Sequence, residues 1–106
     1  MKTSWGSWKV LAEYPHVKVK EIRVSPNHAL SFQKHEQRSE IWVVESGKGS
    51  AIIGTEGLEL VPGKEVHIEL LQWHQLINGG SEELVVIEIQ QGIACKEIDI
   101  IRAHES

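Results

Sequence analysis

The sequence has little that would cross-link the chain or carry it through a membrane. Cys95 is its single cysteine, so no internal disulfide can form. No apolar run approaches the ~20 residues of a membrane-spanning helix, and residues 1–7 lack the apolar centre of a signal peptide. These absences predict a soluble, cytoplasmic protein with no membrane partner. A chain of 106 residues has room for one hydrophobic core, so we expect a single domain over residues 1–106.

Basic side chains are outnumbered by acidic ones. Eleven Lys and Arg against fifteen Asp and Glu give a net charge of -4, which argues against nucleic acid as a partner. The charge is uneven, because residues 1–53 hold eight basic and five acidic side chains while residues 54–106 hold three and ten. Two interpretations remain open: an ordinary solvated face, or a phosphate-bearing ligand held by the first half.

Helical patterns are also missing. No window sustains an apolar stripe at helical spacing over three turns, and the nine glycines and three prolines are spread along the chain. Between these turn residues, β-branched residues alternate with polar ones, as in Val17 to Val24 and Leu84 to Ile89. The predicted class is therefore all-β, a sandwich or barrel in which many short strands share one core.

The residues that carry chemistry concentrate between Ser31 and Gly49. Gln33 and His35 are two positions apart, so on a strand they project from one face. A bend through 37–39 would bring Glu40 alongside them, and His74 stands at a predicted strand start. One amide oxygen, two imidazoles and one carboxylate suit a divalent first-row ion with positions open for water or substrate.

The spacing of these residues resembles the two cupin motifs. Gln33-x-His35-x4-Glu40-x6-Gly47 resembles the first motif, and the stretch from Pro62-Gly63 to His74-x3-Asn78 resembles the second. The resemblance implies a single-domain cupin, which is a double-stranded β-helix with a jelly-roll-like barrel. It also implies one divalent metal ion (Zn, Co, Mn, Ni or Fe) held by Gln33, His35, Glu40 and His74.

A finer resemblance is to the C-terminal cupin domain of type II phosphomannose isomerases, which is found fused to mannose-1-phosphate guanylyltransferase. It rests on runs such as Leu30-Ser31-Phe32-Gln33-x-His35 and Arg38-Ser39-Glu40-x-Trp42. The resemblance implies a homodimer and an isomerase that interconverts mannose 6-phosphate and fructose 6-phosphate through an enediol. Two alternatives stay open: a non-catalytic cupin that binds a sugar or another metabolite, and a metal-dependent cupin of other chemistry, such as a dioxygenase.

The chain departs from this family at two positions, where Gln37 and Ile41 replace histidines. Glutamine accepts no proton at neutral pH, so the general base stays open among His67, Glu88 and a hydroxide at the metal. His67 alternates with apolar neighbours, and Glu88 shares a strand face with Gln90 that faces either water or the cavity.

Further candidates come from the same resemblance. Lys20, Arg38 and Arg102 match basic positions suited to a sugar phosphate, because guanidinium groups present paired donors to phosphate oxygens. Arg38 is also counted with the catalytic set; its alternative is an exposed cation paired with Glu36 or Glu40. Trp73 is expected at the pocket mouth. The segment Trp5-Gly6-Ser7-Trp8 is interpreted as an exposed arm that contributes to the dimer. The remaining histidines are expected to be solvated: His16, His28 and His104.

Overall fold

The computed structural model describes residues 1–93 and 95–103, and within these ranges all regular structure is β-strand. This confirms the predicted all-β class. Within the same ranges, no helix is long and apolar enough to cross a membrane. His104 lies outside the described residues. The strands are β1 (Gly6–Glu13), β2 (Val17–Val24), β3 (His28–Ala29), β4 (Gln33–Lys34), β5 (Arg38–Ser46), β6 (Gly49–Ile53), β7 (Glu56–Leu60), β8 (Glu65–Ile68), β9 (His74–Asn78), β10 (Leu84–Gly92) and β11 (Ile101–Arg102).

These strands form two antiparallel sheets around one core. The first sheet has the order β1-β2-β10-β5-β8, and the second has the order β11-β4-β9-β6-β7, with β3 also paired to β9. Between β4 and β5 the chain bends at 36–37, where the sequence predicted a change of direction. The bend moves the chain from the second sheet to the first, so residues on either side of it face the same interior.

The interior has two chemically different ends. In β2, β5 and β10 every second side chain points inward. These inward residues change from polar to apolar along β2 and β5, and from apolar to polar along the antiparallel β10. We call the two groups the apolar end and the polar end. The apolar end includes Ile22, Val24, Trp42, Val44, Leu84 and Val86, and the polar end includes Lys18, Lys20, Arg38, Glu40, Glu88 and Gln90, all buried.

The register of the strands collects the polar residues at one place. β10 lies between β2 and β5, with Glu88 opposite Lys20 and Gln90 opposite both Lys18 and Glu40. A slip of one residue would turn every inward side chain to the outer face. The apolar core therefore fixes which ionisable groups meet, because it sets the register that they share.

Asn78 closes the apolar end and has a structural role. Its side chain is fully buried, and Nδ2 donates to the backbone oxygens of Val24 and Glu82 at 2.9 and 2.8 Å. Its Oδ1 accepts from the amide of Gly80 at 3.0 Å. The first bond joins Asn78 to the end of β2, and the other two satisfy backbone groups of the loop after β9. This residue of the second motif therefore holds a turn and lies away from the predicted ligands.

A strained turn precedes the last predicted ligand. Leu71 has a φ of 60°, and the amide of Gln72 donates to the oxygen of Glu69 at 3.2 Å. In a four-residue turn this places Leu71 at the third position, where a positive φ favours glycine. For a side chain other than glycine such a conformation costs about 1–2 kcal/mol.

We expect Leu71→Gly to keep or raise the free energy of unfolding, because relief of the strain offsets the greater freedom of the unfolded chain. Leu70→Gly is the matched control, since Leu70 and Leu71 are both 52% exposed and only Leu71 has a positive φ. The free energy of unfolding of the control should fall by about 0.4–1 kcal/mol. Urea unfolding of both variants measures the difference. Equal losses would contradict the strain at Leu71.

Candidate functional site

Three potential metal ligands from separate strands meet at the polar end. His35 follows β4, Glu40 lies in β5 and His74 begins β9, and all three are at most 3% exposed. Nε2 of His35 is 3.3 Å from Oε2 of Glu40, and Nε2 of His74 is 3.6 Å from Oε1. One ligand atom from each lies within 4.8 Å of the others.

Hydrogen bonds fix which ring nitrogens face Glu40. Nδ1 of His35 contacts the backbone oxygen of Asp99 at 2.5 Å, and Nδ1 of His74 contacts that of Gln72 at 2.8 Å. A carbonyl only accepts, so each Nδ1 carries a hydrogen and donates it. In the neutral rings, both Nε2 lone pairs therefore point toward the carboxylate of Glu40.

The protonation of these rings suits a cation. Burial, assisted by the positive charge of Arg38, lowers the pKa of His35 to about 4, and burial also lowers the pKa of His74. Both imidazoles are thus neutral at pH 7. Two lone pairs and a carboxylate that converge in a buried place form a donor set that fits a divalent metal ion, and the carbonyls that hold Nδ1 orient it.

Arg38 is a buried cation within this cluster. Its Nε donates to Oε2 of Glu40 at 3.0 Å, and its Nη2 lies 3.3 Å from Nε2 of His35. A third bond runs from Nη1 to the backbone oxygen of Lys96 at 3.0 Å. Arg38 is therefore paired with Glu40, as its alternative interpretation expected, but it is buried. An ion on all the ligands requires Arg38 to give up its contact with His35.

The structure brings Gln33 to the same cluster. Its Cα pairs with that of His74 across β4 and β9, and it lines a small cavity together with Glu40 and Glu88. Its Nε2 donates to the backbone oxygen and Oγ of Ser31, both at 3.2 Å. The amide oxygen Oε1 is therefore the atom of Gln33 that could bind a metal ion, and this role stays a prediction.

Glu88 is a second buried carboxyl group beside the ligands. Its Oε2 accepts from Nε1 of Trp42 at 3.2 Å, and its Oε1 accepts from Nε2 of Gln90 at 2.5 Å. Burial, and then the negative charge of Glu40, raise the pKa of Glu88 to about 7. A carboxyl group with this pKa exchanges its proton near neutral pH, as a general base or acid requires.

His67 does not reach the cavity. It lies in β8 between two inward-facing residues, so its side chain points to the outer face. It is 63% exposed, and its Nε2 lies 3.2 Å from Oε1 of Glu65. This placement contradicts the expectation that His67 lines the cavity, and it removes His67 from the candidates for the general base.

Trp73 is also turned away from the ligands. It precedes His74, whose ring points inward, and its own ring stacks on Phe32 with centroids 5.4 Å apart. Nζ of Lys34 lies 4.7 Å from the centroid of Trp73. These contacts form an outer cluster that does not border the described cavities. The expectation that Trp73 lines the pocket mouth is therefore wrong.

The predicted basic residues do meet around a cavity of about 590 Å³ that Glu88 also lines. Lys20 is 5% exposed, Arg38 is buried, and Nε of Arg102 donates to Oγ of Ser31 at 3.2 Å. Trp5 and Trp8 line the same cavity and pack against the core, so the predicted exposed arm is wrong. His16 and His28 are exposed, as expected.

Sequence reasoning gave no site role to four polar residues, Lys18, Gln90, Glu97 and Asp99, of which Glu97 lines this cavity. Lys18 and Gln90 are buried at the polar end. Glu97 and Asp99 lie in residues 95–100, which we call the C-terminal segment, and both are hydrogen-bonded to the barrel. The spacing of Lys18 from Lys20, and of Gln90 from Glu88, is a signal that could have placed the first two. Nothing in the sequence indicated Glu97 or Asp99.

Comparison with known proteins decides the family. Residues 1–105 match the family described as mannose-6-phosphate isomerase C-terminal. The chain belongs to this family. A mannose-1-phosphate guanylyltransferase of Klebsiella pneumoniae is 36% identical over 101 residues, which are 95% of this chain and 21% of that protein. The resemblance inferred from the sequence motifs is thereby confirmed. The chain therefore spans about a fifth of the length of this relative.

Solved structures confirm the cupin fold. A cupin-2 domain protein of Rhodospirillum rubrum superimposes with a TM-score of 0.80 at 20% identity, over 92% of this chain and 65% of that one. A putative sugar phosphate isomerase of Acidithiobacillus ferrooxidans superimposes with a TM-score of 0.66 at 27% identity, over 72% of this chain and 50% of that one. This member of the family therefore has the cupin fold.

Proposed function

We propose that this cupin is a metal-dependent sugar-phosphate isomerase that interconverts mannose 6-phosphate and fructose 6-phosphate. The observation that carries the proposal is the position of the ligand cluster. Two neutral imidazoles and Glu40 converge beside a cavity that Lys20, Arg38 and Arg102 line. A cation site beside basic groups suits a ligand that carries both sugar oxygens and a phosphate. The names of the family and of the Acidithiobacillus protein support this substrate class.

His35, Glu40 and His74 would hold the metal ion, with Oε1 of Gln33 as a fourth ligand. A divalent ion in this position supplies electrostatic stabilisation of the negative charge that develops on the sugar oxygens. The backbone oxygens of Asp99 and Gln72 keep both rings oriented for this task. The basic residues bind the phosphate group and hold the open-chain sugar in place, which lowers the entropic part of the barrier.

Glu88 is the proton carrier in this proposal. It lines the large cavity and also the small cavity that reaches Glu40 and His74. Its carboxylate takes the proton from C2 of the aldose; the electron pair of that C–H bond forms the C1–C2 double bond, and the carbonyl oxygen takes up the negative charge. The hydroxyl proton on O2 then passes to O1. As the electron pair left on O2 forms the C2 carbonyl, the C1–C2 double bond takes the proton from Glu88 at C1, which gives the ketose.

A homodimer also stays a proposal. The supposed exposed arm no longer supports it, since Trp5 and Trp8 pack against the core. The remaining support is the later part of β1, at the edge of the first sheet; the start of β1 is already paired on its outer side, where Lys2 bridges Ser7. Unpaired edges of this kind are common places for a second chain to add.

We expect the metal-loaded chain to convert mannose 6-phosphate to fructose 6-phosphate in a coupled assay. The metal-free protein and a chain carrying His35→Ala are the controls, and neither should turn over. Binding of mannose 6-phosphate without turnover, with each of Zn, Co, Mn, Ni and Fe, would favour the non-catalytic alternative. Oxygen uptake with Fe(II) would favour a dioxygenase instead.

A further inference from the structure

The C-terminal segment places a carboxylate on two buried lysines. Oε2 of Glu97 is 2.6 Å from Nζ of Lys20, and Oε1 of Glu97 is 3.2 Å from Nζ of Lys18. The lysine side chains are 6% and 8% exposed, whereas Glu97 is 44% exposed. The anion is thus the solvent-accessible member of the group, and it lies at the wall of the large cavity.

The segment meets the barrel through acceptors. Backbone oxygens of Cys95 and Lys96 accept from Nζ of Lys18 and Nη1 of Arg38, both at 3.0 Å. The carboxylate of Asp99 accepts from the amides of residues 36 and 37 at 3.0 and 2.9 Å. Each of these bonds supplies an oxygen to a donor of the barrel. A phosphate group offers the same kind of oxygen acceptors.

Two buried ammonium groups need a counter-anion. An unpaired charge in a buried place is costly, and the ammonium groups of Lys18 and Lys20 share Glu97. The other carboxylate near Lys18 is Glu13, at 3.6 Å, which is 64% exposed and is not among the residues that line the cavity. An anion that enters the cavity therefore competes with Glu97 for Lys20, which lines the cavity, and for Lys18, which contacts the same carboxylate.

We propose that Lys18 and Lys20 form an anion subsite at the wall of the cavity, which Glu97 occupies in the ligand-free protein and a phosphate group takes over by displacing residues 95–97, while Asp99 keeps its contact with His35. The subsite rests on the proposed function only in the choice of phosphate as the anion. Glu97 then acts as an internal competitor, which raises the concentration of ligand needed for binding.

Inorganic phosphate is the probe, measured by calorimetry against chloride at equal ionic strength. Glu97→Gln removes the competing charge and keeps the shape, so we expect it to bind phosphate at least tenfold more tightly than the wild type. Glu13→Gln removes an exposed partner of the same lysine, and its affinity should equal that of the wild type. Lys20→Met should abolish the gain in a chain that also carries Glu97→Gln. Unchanged phosphate affinity in Glu97→Gln would overturn the proposal.

Hydrogen exchange of the wild type gives a second measurement that needs no variant. Saturating phosphate should accelerate amide exchange in residues 95–97 and leave β6 and β7 unchanged. Phosphate binding without a change in residues 95–97 would overturn the displacement. The isomerase assay is separate: tighter phosphate binding by Glu97→Gln without turnover by the wild type rejects the isomerase and keeps the subsite. Turnover by the wild type together with unchanged phosphate affinity in Glu97→Gln keeps the isomerase and rejects the subsite.

Discussion

His74→Ala is expected to reduce divalent-ion affinity by at least 100-fold. The ring of His74 is buried, its Nδ1 is held by a backbone oxygen, and its Nε2 points at Glu40, 3.6 Å away. Loss of groups that only orient a ligand already costs roughly 10–100-fold in affinity, so loss of the ligand itself should cost more. His35→Ala should behave in the same way, because its Nε2 faces the other oxygen of Glu40.

His67→Ala is the matched control, since His67 is 63% exposed and its side chain is on the outer face of the sheet. Elemental analysis after dialysis gives the metal content of each variant. Thermal unfolding gives the affinity independently, because an ion at a hundredfold excess over Kd stabilises the native state by about 2.7 kcal/mol. At ~4–8 °C per kcal/mol the wild type should gain at least about 10 °C in Tm. Full metal content in both cluster variants would refute the assignment.

The ligand cluster was predictable because its signals are local or follow a fixed spacing. Gln33 and His35 are two residues apart, and the bend before β5 turns Glu40 back into the same interior. His74 needed the second motif, since only the pairing of β4 with β9 sets it beside Gln33. Spacing along a strand indicates a shared face, and the family resemblance supplied the pairing.

The buried polar residues of β2 and β10 were harder to place. In β2 the outer positions Val17 and Val19 are apolar, while Lys18 and Lys20 point inward. The apolar residues change face along the strand, since Ile22 is on the inner face. Alternation alone identifies two faces and does not say which one is inside. Only the register with the apolar end decides that.

The contacts of the C-terminal segment could not be predicted from spacing. Glu97 meets Lys20 across 77 residues, and Asp99 meets His35 across 64. Residues 95–100 have no strand period that would place them. Their position depends on which donors the barrel leaves open at its polar end, and this becomes known only when the sheets are assembled.

Glu88→Gln is expected to lower isomerase turnover by about 10²–10⁴-fold, the usual loss when a general base is removed. Glutamine keeps the size of the side chain but cannot take a proton from C2. Metal content should stay at the wild-type level, which separates this variant from His74→Ala. The wild-type rate should rise with pH through about 7, where Glu88 loses its proton, and the residual rate of the variant should lack this step. Wild-type turnover in the variant would exclude Glu88 as the base.

The same pKa predicts a pH-dependent stability of the metal-free protein. The pKa of Glu88 is raised from 4.5 to about 7, so the folded state holds its proton more tightly than the unfolded chain does. The favourable contribution is complete below pH 4.5 and is lost as the pH rises through 7. At ~1.4 kcal/mol per pKa unit the loss is about 3 kcal/mol. His35 has the opposite effect on stability. Its pKa is lowered from 6.5 to about 4, so its favourable contribution to the free energy of unfolding is lost as the pH falls through that range.

Urea unfolding of wild type and Glu88→Gln at several pH values, with a chelator present, isolates the carboxyl group because the histidine contribution is common to both. Between pH 4.5 and 8, the free energy of unfolding of the wild type should fall by about 3 kcal/mol relative to that of the variant. A constant difference would mean that Glu88 titrates normally and is not poised for proton transfer. Burial beside Glu40 thus has two consequences that must appear together: a fold that is less stable above pH 7, and a carboxyl group that can accept a proton there.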